Sequence, residues 1–327
     1  MTKKIIVNGK ENIPKKGAIL FMANHPNGLI DPLIITTNNP RTNYFLTRAA
    51  SFKKPLVRWF LNSLNLIPIY RIRDGVNQLK KNKEVFERCF NLLDNQKALM
   101  IFPEGSHDKR RTVRSLSKGF SRIVFGAIER NPKLQIQIIP VGITYQDSSG
   151  YPFKVSLNYG TPILANDFYK SNLNHSDIKE IKDVISDQLK VLSVHIPLSE
   201  DYEKWIEKLN SANVDFTKVD EVNSMIQSNT IIKKEREINL VRFLRPVVLL
   251  NNLIPWLLWK YVKNKVTEFE FICTFKFGVS SLTVVPFFLL NAYIIYNLFT
   301  LKSTIIYFGC SVLILLIYSK FHSTPAR

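Results

Sequence analysis

The sequence predicts a layered α/β domain built on a mixed central sheet, followed by C-terminal membrane-associated helices. Three observations carry that prediction. Short apolar strand patterns alternate with amphipathic helical patterns over roughly residues 1–165. Two long uncharged stretches, 277–301 and 303–319, lie near the C-terminus. The net charge of +19 is concentrated in the N-terminal part.

In chain order, strands are expected at 18–23, 43–48, 98–102, 135–143 and 153–159. Each is short, rich in β-branched or aromatic residues, and bounded by Pro, Gly or Asn. Helices are expected between them. Residues 51–64 place Phe52, Leu56, Trp59 and Phe60 at helical intervals, and 76–93 repeat Val76, Leu79, Val85, Phe86 and Phe90. Residues 118–129 carry Phe120, Ile123, Val124 and Ala127 on one side, and 176–194 carry Ile178, Ile181, Ile185 and Leu189. This defines a domain over 1–198. Residues 199–240 are charged and only moderately periodic, and are expected to be a helical connector.

Residues 241–327 change character. At about 1.5 Å per residue the two uncharged stretches would reach roughly 37 and 26 Å as helices, against a hydrocarbon core of about 30 Å. They read as a membrane hairpin turning at Lys302, with Pro286 kinking the first helix. Lys260, Lys263, Lys265 and Lys276 precede the hairpin, and Lys320 and Arg327 follow it. That predicts both ends, and the α/β domain, on the cytoplasmic face of the cell membrane. The alternative is a buried hairpin in a soluble core. Residues 247–259 are apolar but interrupted by Asn251, Asn252 and Pro255, which suits a helix lying in the headgroup layer.

Residues 1–133 hold 25 basic and 9 acidic side chains, and the remainder 20 and 17. A basic N-terminal part attracts a polyanion, an anionic membrane surface or a phosphorylated substrate. Nucleic-acid binders display aromatics among their basic residues, whereas the aromatics here follow core periodicity. No nucleic-acid partner is expected. Cys89, Cys273 and Cys310 are widely spaced, which argues against a disulfide framework or zinc site. The N-terminal residues show no apolar core of a cleaved secretion signal.

Two stretches carry chemistry. The apolar run ending at Ala23 delivers Asn24, His25, Pro26, Asn27 and Gly28 into a turn, with Asp31 following. A His and a nearby acid can act as a general base and the group that orients it. The second stretch, Phe102 to Asp108 (FPEGSHD), follows the 98–102 strand, at the strand end where open α/β sheets place ligands. Lys109, Arg110, Arg111, Arg114 and then Lys118 follow, a basic loop at a helix start suited to phosphate. Between the two lies Leu66 to Arg71, whose Arg71 could fork onto a phosphate or carboxylate. Pro140 interrupts a fourth, apolar run.

These four blocks, in this order, resemble the glycerolipid acyltransferase family, which includes glycerol-3-phosphate and 1-acylglycerol-3-phosphate acyltransferases. Asn24-His25 and Asp31 match the first block, Ile67 to Arg71 the second, Phe102 to Gly105 with the later Lys118-Gly119 the third, and Pro140 the fourth. The resemblance covers about residues 15–165. It departs in spacing: five residues, not four, separate His25 from Asp31. The extra residue must be absorbed by the turn if the acid is to reach the ring.

The resemblance implies His25 as general base, oriented by Asp31, with backbone near Gly105 a candidate oxyanion donor. It implies Arg71, Glu104 and Gly105 as acceptor-binding residues. Lys109, Arg110, Arg111 and Lys118 are further candidates for phosphate. The donor would be an acyl thioester, acyl-CoA or acyl carrier protein, as co-substrate, with no metal or other cofactor. The acceptor would be lysophosphatidic acid or glycerol-3-phosphate in phospholipid synthesis. Three other readings stay open: an acyltransferase acting on another lysolipid such as a lyso-aminolipid, a metal-dependent phosphohydrolase using His25, Asp31, His107 and Asp108, and a non-catalytic membrane-binding protein.

Overall fold

The computed structural model describes residues 3–70, 80–170, 175–199, 201–233, 239, 241–268, 271–322 and 324. Among them, β1 (Lys4–Asn8), β2 (Ala18–Ala23), β3 (Asn43–Arg48), β4 (Leu66–Ile69), β5 (Ala98–Ile101), β6 (Ile136–Tyr145), β7 (Lys154–Tyr159) and β8 (Ile163–Leu164) form one sheet. The order is β1-β7-β6-β2-β5-β3-β4, with β8 beside β6. From β6 through β4 the strands are parallel, while β7 and β8 run antiparallel to β6, so the sheet is mixed as expected. β2 lies at its centre. Its six residues, AILFMA, are all buried, as an unbroken apolar run requires of a strand covered on both faces.

The helices are α1 (Ile30–Thr37), α2 (Pro55–Ser63), α3 (Asn82–Asp94), α4 (Gly119–Arg130), α5 (His175–Leu192), α6 (Tyr202–Ser211) and α7 (Val219–Gln227). After them come α8 (Arg245–Asn251), α9 (Leu253–Lys263), α10 (Ile272–Leu298) and α11 (Leu301–Phe321). Alternate side chains of β2 divide two cores. Leu20 and Met22 pack with Leu99 and Ile138 beneath α3, α4 and α5. Ile19 and Phe21 pack with Met100 and Ile139 beneath α1, and Cys273 of α10 joins that core.

Several elements differ from the sequence-based expectation. The helix expected at 51–64 begins at Pro55, a residue favoured in a helix's first turn. The early part of the helix expected from 76 lies outside the described residues. α1 was not expected: its sequence, IDPLIITT, is rich in β-branched residues, and burial of Ile30, Ile34 and Ile35 holds it helical. The stretch expected as a connector contains a packed satellite. Leu209, Val214, Phe216 and Val222 form their own cluster. The amide of Gln146 fastens it to the sheet, donating to the Val214 carbonyl and accepting from the Phe216 N–H, each at 2.9 Å.

At the C-terminus the apolar segment 247–259 is two helices, parted at Asn252. α10 and α11, 27 and 21 residues, are both long and apolar enough to cross a membrane. They would span roughly 40 and 32 Å. Leu282, Leu298 and Ile305 are 77 %, 70 % and 64 % exposed, which is not how a soluble core hairpin disposes its apolar side chains. The helices part just ahead of Lys302, where the Thr300 hydroxyl caps α11 by accepting from the Ser303 N–H. A polar chain joins them: Asn291 donates to the Tyr307 hydroxyl, which donates to Asn251 of α8. The first turns of α10 dock on the α/β domain, where Lys276 Nζ donates to the Tyr151 carbonyl at 2.7 Å.

Candidate active site

β2 and β5 are parallel neighbours, with Met22 opposite Ile101. The loops leaving their carboxyl ends therefore emerge together, at the edge where such sheets hold ligands. Asn24 extends the ladder past β2: its side-chain amide donates to the Ile143 carbonyl at 3.0 Å and accepts from the Ile143 N–H at 2.7 Å. With Asn24 fixed, His25 leaves the strand at a set angle. Its carbonyl accepts from the Asp108 N–H at 3.0 Å, tying the two loops together.

The His25 Nδ1 lies 2.8 Å from Asp31 Oδ2. Asp31 stands in the first turn of α1, and residues 26–29 form a bend that absorbs the extra spacing. The same Oδ2 accepts from the Asn27 N–H at 2.8 Å, and Oδ1 accepts from the Tyr145 hydroxyl at 2.7 Å. Asp31 is fully buried. Burial pushes its carboxyl above the usual carboxylate range, opposed by its three donors. Burial, and then the neighbouring Asp31, hold the Tyr145 phenol well above its ordinary value, so it stays a donor. The imidazole stacks on Phe102, centroids 3.9 Å apart and planes 15° apart, and meets His107 edge-on at 5.8 Å. Nε2 makes no hydrogen bond among the described residues.

Beyond Phe102 the chain turns at Gly105, whose φ of 74° is in the left-handed region that favours glycine. The Gly105 N–H closes that turn onto the Phe102 carbonyl at 3.1 Å. It is thereby engaged, which argues against that N–H as the oxyanion donor. Glu104 is nearly buried and accepts from Arg114 Nε and Nη2 at 2.9 and 2.6 Å. Arg114 also holds the Ser106 hydroxyl and carbonyl. Burial raises the Glu104 pKa against the charges of Arg114 and, more weakly, His25. The Ser117 N–H donates to the Pro103 carbonyl at 2.8 Å, bringing exposed Lys118 back beside this corner.

The other expected phosphate contacts are less uniform. Arg71 lies outside the described residues. Lys109 is exposed, and Arg110 is exposed with its guanidinium forked onto Asp108. Arg111 turns inward. It donates to the carbonyls of Tyr145 and Gln146 at 2.7 and 3.0 Å and covers the Phe216 ring at 3.6 Å, which are packing contacts. The four residues of the phosphohydrolase reading form no metal-ligating group among the described residues, because each is taken up by a partner of its own. His25 pairs with Asp31, Asp108 with Arg110, and His107 Nε2 with Glu268 at 2.9 Å.

Tyr145, Arg114 as the partner of Glu104, and Glu268 and Phe271 were not singled out from sequence. Tyr145 sits at the end of an apolar strand, and only its phenol could have hinted at a buried acceptor. Phe271 packs edge-on to His107 at 4.8 Å. Nothing local to Glu268 or Phe271 signals contact with His107, more than 160 positions earlier.

With this geometry in hand, comparison with known proteins is informative. Residues 4–144 match the acyltransferase family model, a span holding both loops of the cleft. The chain is 27 % identical over 115 residues to glycerol-3-phosphate O-acyltransferase 1 of Saccharomyces cerevisiae, covering 34 % of this chain and 15 % of that protein. It is 25 % identical over 160 residues to 1-acyl-sn-glycerol-3-phosphate acyltransferase of Borreliella burgdorferi, covering 49 % and 58 %. The chain thus spans less than two thirds of either relative's length. Among solved structures it is similar to the 1-acyl-sn-glycerophosphate acyltransferase PlsC of Thermotoga maritima. That match has 22 % identity and a TM-score of 0.43, over 60 % of this chain and 74 % of that one.

Proposed function

We propose that the chain is an O-acyltransferase using His25 as its base, a reading supported by the acyltransferase family model that residues 4–144 match. It moves a fatty acyl group from an acyl thioester to a glycerol-phosphate-type hydroxyl. The observation that carries this reading is the His25–Asp31 pair, whose Nδ1 is held by a buried carboxylate beside the Phe102 to Gly105 corner. Asp31 selects the tautomer with the proton on Nδ1, leaving the Nε2 lone pair for an incoming hydroxyl.

In the reaction, Nε2 takes the acceptor's hydroxyl proton as its oxygen attacks the thioester carbonyl. Asp31 stabilises the imidazolium that forms. Collapse of the tetrahedral intermediate breaks the C–S bond, and the proton on Nε2 leaves with the thiol. Ester and free thiol are the products. No acyl-enzyme forms, and the scheme calls on no resident metal or cofactor. Acyl-CoA or acyl carrier protein serves as co-substrate. The acceptor is lysophosphatidic acid or glycerol-3-phosphate, its phosphate met by exposed Lys109, Arg110 and Lys118, with Arg71 a further contact that the family resemblance implies. α10 and α11 anchor the chain in the cell membrane with this domain on the cytoplasmic face, where the anionic donors are.

A second acceptor class, another lysolipid such as a lyso-aminolipid, fits the same base. An acyl-transfer assay in membranes offers glycerol-3-phosphate, lysophosphatidic acid and a lyso-aminolipid side by side to wild type and His25→Ala. Transfer to a phosphate acceptor that falls on the order of 10³-fold or more in His25→Ala is expected. Undiminished transfer by His25→Ala would overturn the reading.

A further inference from the structure

Glu268 and Phe271 lie between α9 and α10, at the entry to the apolar hairpin, yet both reach the candidate active site. The Phe271 N–H donates to the Glu268 carbonyl at 3.1 Å, a turn that brings the two residues together. Both side chains meet His107. Its Nε2 lies 2.9 Å from Glu268 Oε2, and the Phe271 ring stands at 80° to it with centroids 4.8 Å apart. His107 in turn stands at 89° to His25, centroids 5.8 Å apart. The N–H of the next residue, Asp108, donates to the His25 carbonyl.

One hydrogen bond does not fix an imidazole, because the torsion that turns the ring about its Cβ–Cγ bond is broad. For His25, Asp31 holds Nδ1 and Phe102 covers one face. His107 is a further ring in contact with it. Among the described residues, the hydrogen-bond partner of the His107 ring is Glu268, 161 positions away. The Glu268 side chain is 53 % exposed, and an ion pair so open to water adds little to stability. What the contact governs is where the His107 ring stands.

We propose, on the reading of His25 as base, that Glu268 and His107 are positioning residues for it. Glu268 holds His107 through Nε2, and His107 limits the tilt of the His25 ring, keeping its Nε2 in line with the acceptor hydroxyl. The base is thereby set from the segment that leads into α10, and the hairpin entry is part of the working site. Misplacing a reacting group by about 1 Å can cost on the order of 10²-fold in rate.

Acyl transfer by full-length protein in membranes is measured for Glu268→Ala, Glu268→Gln, His107→Ala and the Glu268→Ala/His107→Ala double variant, with His25→Ala in parallel. Glu268→Ala is expected to lower kcat about tenfold, with acceptor KM and melting temperature close to wild type. Glu268→Gln, whose side-chain carbonyl still accepts from Nε2, should recover most of that loss. His107→Ala should lose as much as Glu268→Ala, and the double variant no more than either, because the two act as one unit. A wild-type kcat for Glu268→Ala, losses that add in the double variant, or Glu268→Gln no better than Glu268→Ala overturns the proposal. So does a loss carried by KM or by melting temperature alone. If His25→Ala is inactive while Glu268→Ala is unaffected, the base stands and its positioning by Glu268 falls. Undiminished transfer by His25→Ala removes both.

Discussion

Phe271 lies so close against Gly28 that a Cβ there would meet its ring Cε1 at 2.7 Å. The segment entering α10 thus packs directly on the bend that carries His25 to Asp31. Next to it, the Leu29 N–H donates to the Thr274 hydroxyl at 3.3 Å. Gly28→Ala is expected to push Phe271 off the bend, lowering acyl transfer about tenfold and stability by about 1–3 kcal/mol. Phe271→Ala in the same chain should restore part of the activity, because it removes the clash. Activity assays on the single and double variants check this. A Gly28→Ala enzyme with wild-type turnover would show that the bend tolerates loss of that contact.

Tyr145 donates to the buried carboxylate that holds His25, and this sets the sign of a pH effect. The Asp31 pKa is already raised, chiefly by burial, and the Tyr145 hydroxyl is one of the groups lowering it. Removing that donor in Tyr145→Phe moves the carboxyl further up. The acid limb of the rate profile should then shift to higher pH. For stability the sign is opposite to that of a paired surface acid. A raised carboxyl costs nothing below its ordinary range, and its unfavourable contribution enters as pH rises through the folded value. Asp31→Asn should therefore show its least loss of melting temperature, or a gain, on the alkaline side. Its activity should fall on the order of 10³–10⁴-fold, as the wrong tautomer is selected. Rate profiles and melting curves across pH test both statements.

Glu104 and Arg114 form a pair in which only one partner can be removed cheaply. The carboxyl is 3 % exposed and the guanidinium 18 %. Arg114→Ala strands a buried charge and releases Ser106, and should cost about 3–5 kcal/mol. Adding Glu104→Gln removes the stranded charge and should recover part of that loss. The pair also bears on the acceptor. If Glu104 contacts substrate in addition to Arg114, Glu104→Gln alone raises KM for the acceptor beyond what its melting temperature explains. Denaturation curves and acceptor titrations separate the two contributions.

The cleft was legible in sequence where chemistry and strand ends coincide. His25, Asp31 and the Phe102 to Gly105 block follow unbroken apolar runs, and adjacent parallel strands bring such strand ends together whatever the loops contain. The role of Asn24 was not legible, because pairing an amide with the backbone of Ile143 depends on β6 lying beside β2. α1 was missed because its propensity points to strand and burial decides otherwise. Tyr145, Arg114 and Phe271 reach the cleft through long-range packing, which leaves no periodic trace. The basic loop misled by looking uniform. Lys109, Arg110, Arg111 and Arg114 are alike as a charge run, yet Lys109 is exposed, Arg110 is exposed but forked onto Asp108, Arg114 holds Glu104 and Arg111 is turned into the domain.

That inward residue, Arg111, offers a test of what the loop does. Its guanidinium donates to two carbonyls, its backbone N–H donates to the Tyr202 hydroxyl at 2.8 Å, and Phe216 lies beneath it. Burial pulls its pKa down to about 10, so it is still a cation at neutral pH. Arg111→Met keeps the volume over Phe216 but leaves the Tyr145 and Gln146 carbonyls without these donors, at a cost of about 1–3 kcal/mol each where they are buried. It also frees the α6–α7 satellite at its contact with the loop. Exposed Arg110, by contrast, can lose its charge with little effect on the core. If Arg111 holds the fold and Arg110 faces phosphate, Arg111→Met lowers the melting temperature while leaving acceptor KM near wild type. Arg110→Gln does the reverse. A large rise in KM for Arg111→Met, in protein shown to be folded, would return Arg111 to the phosphate site.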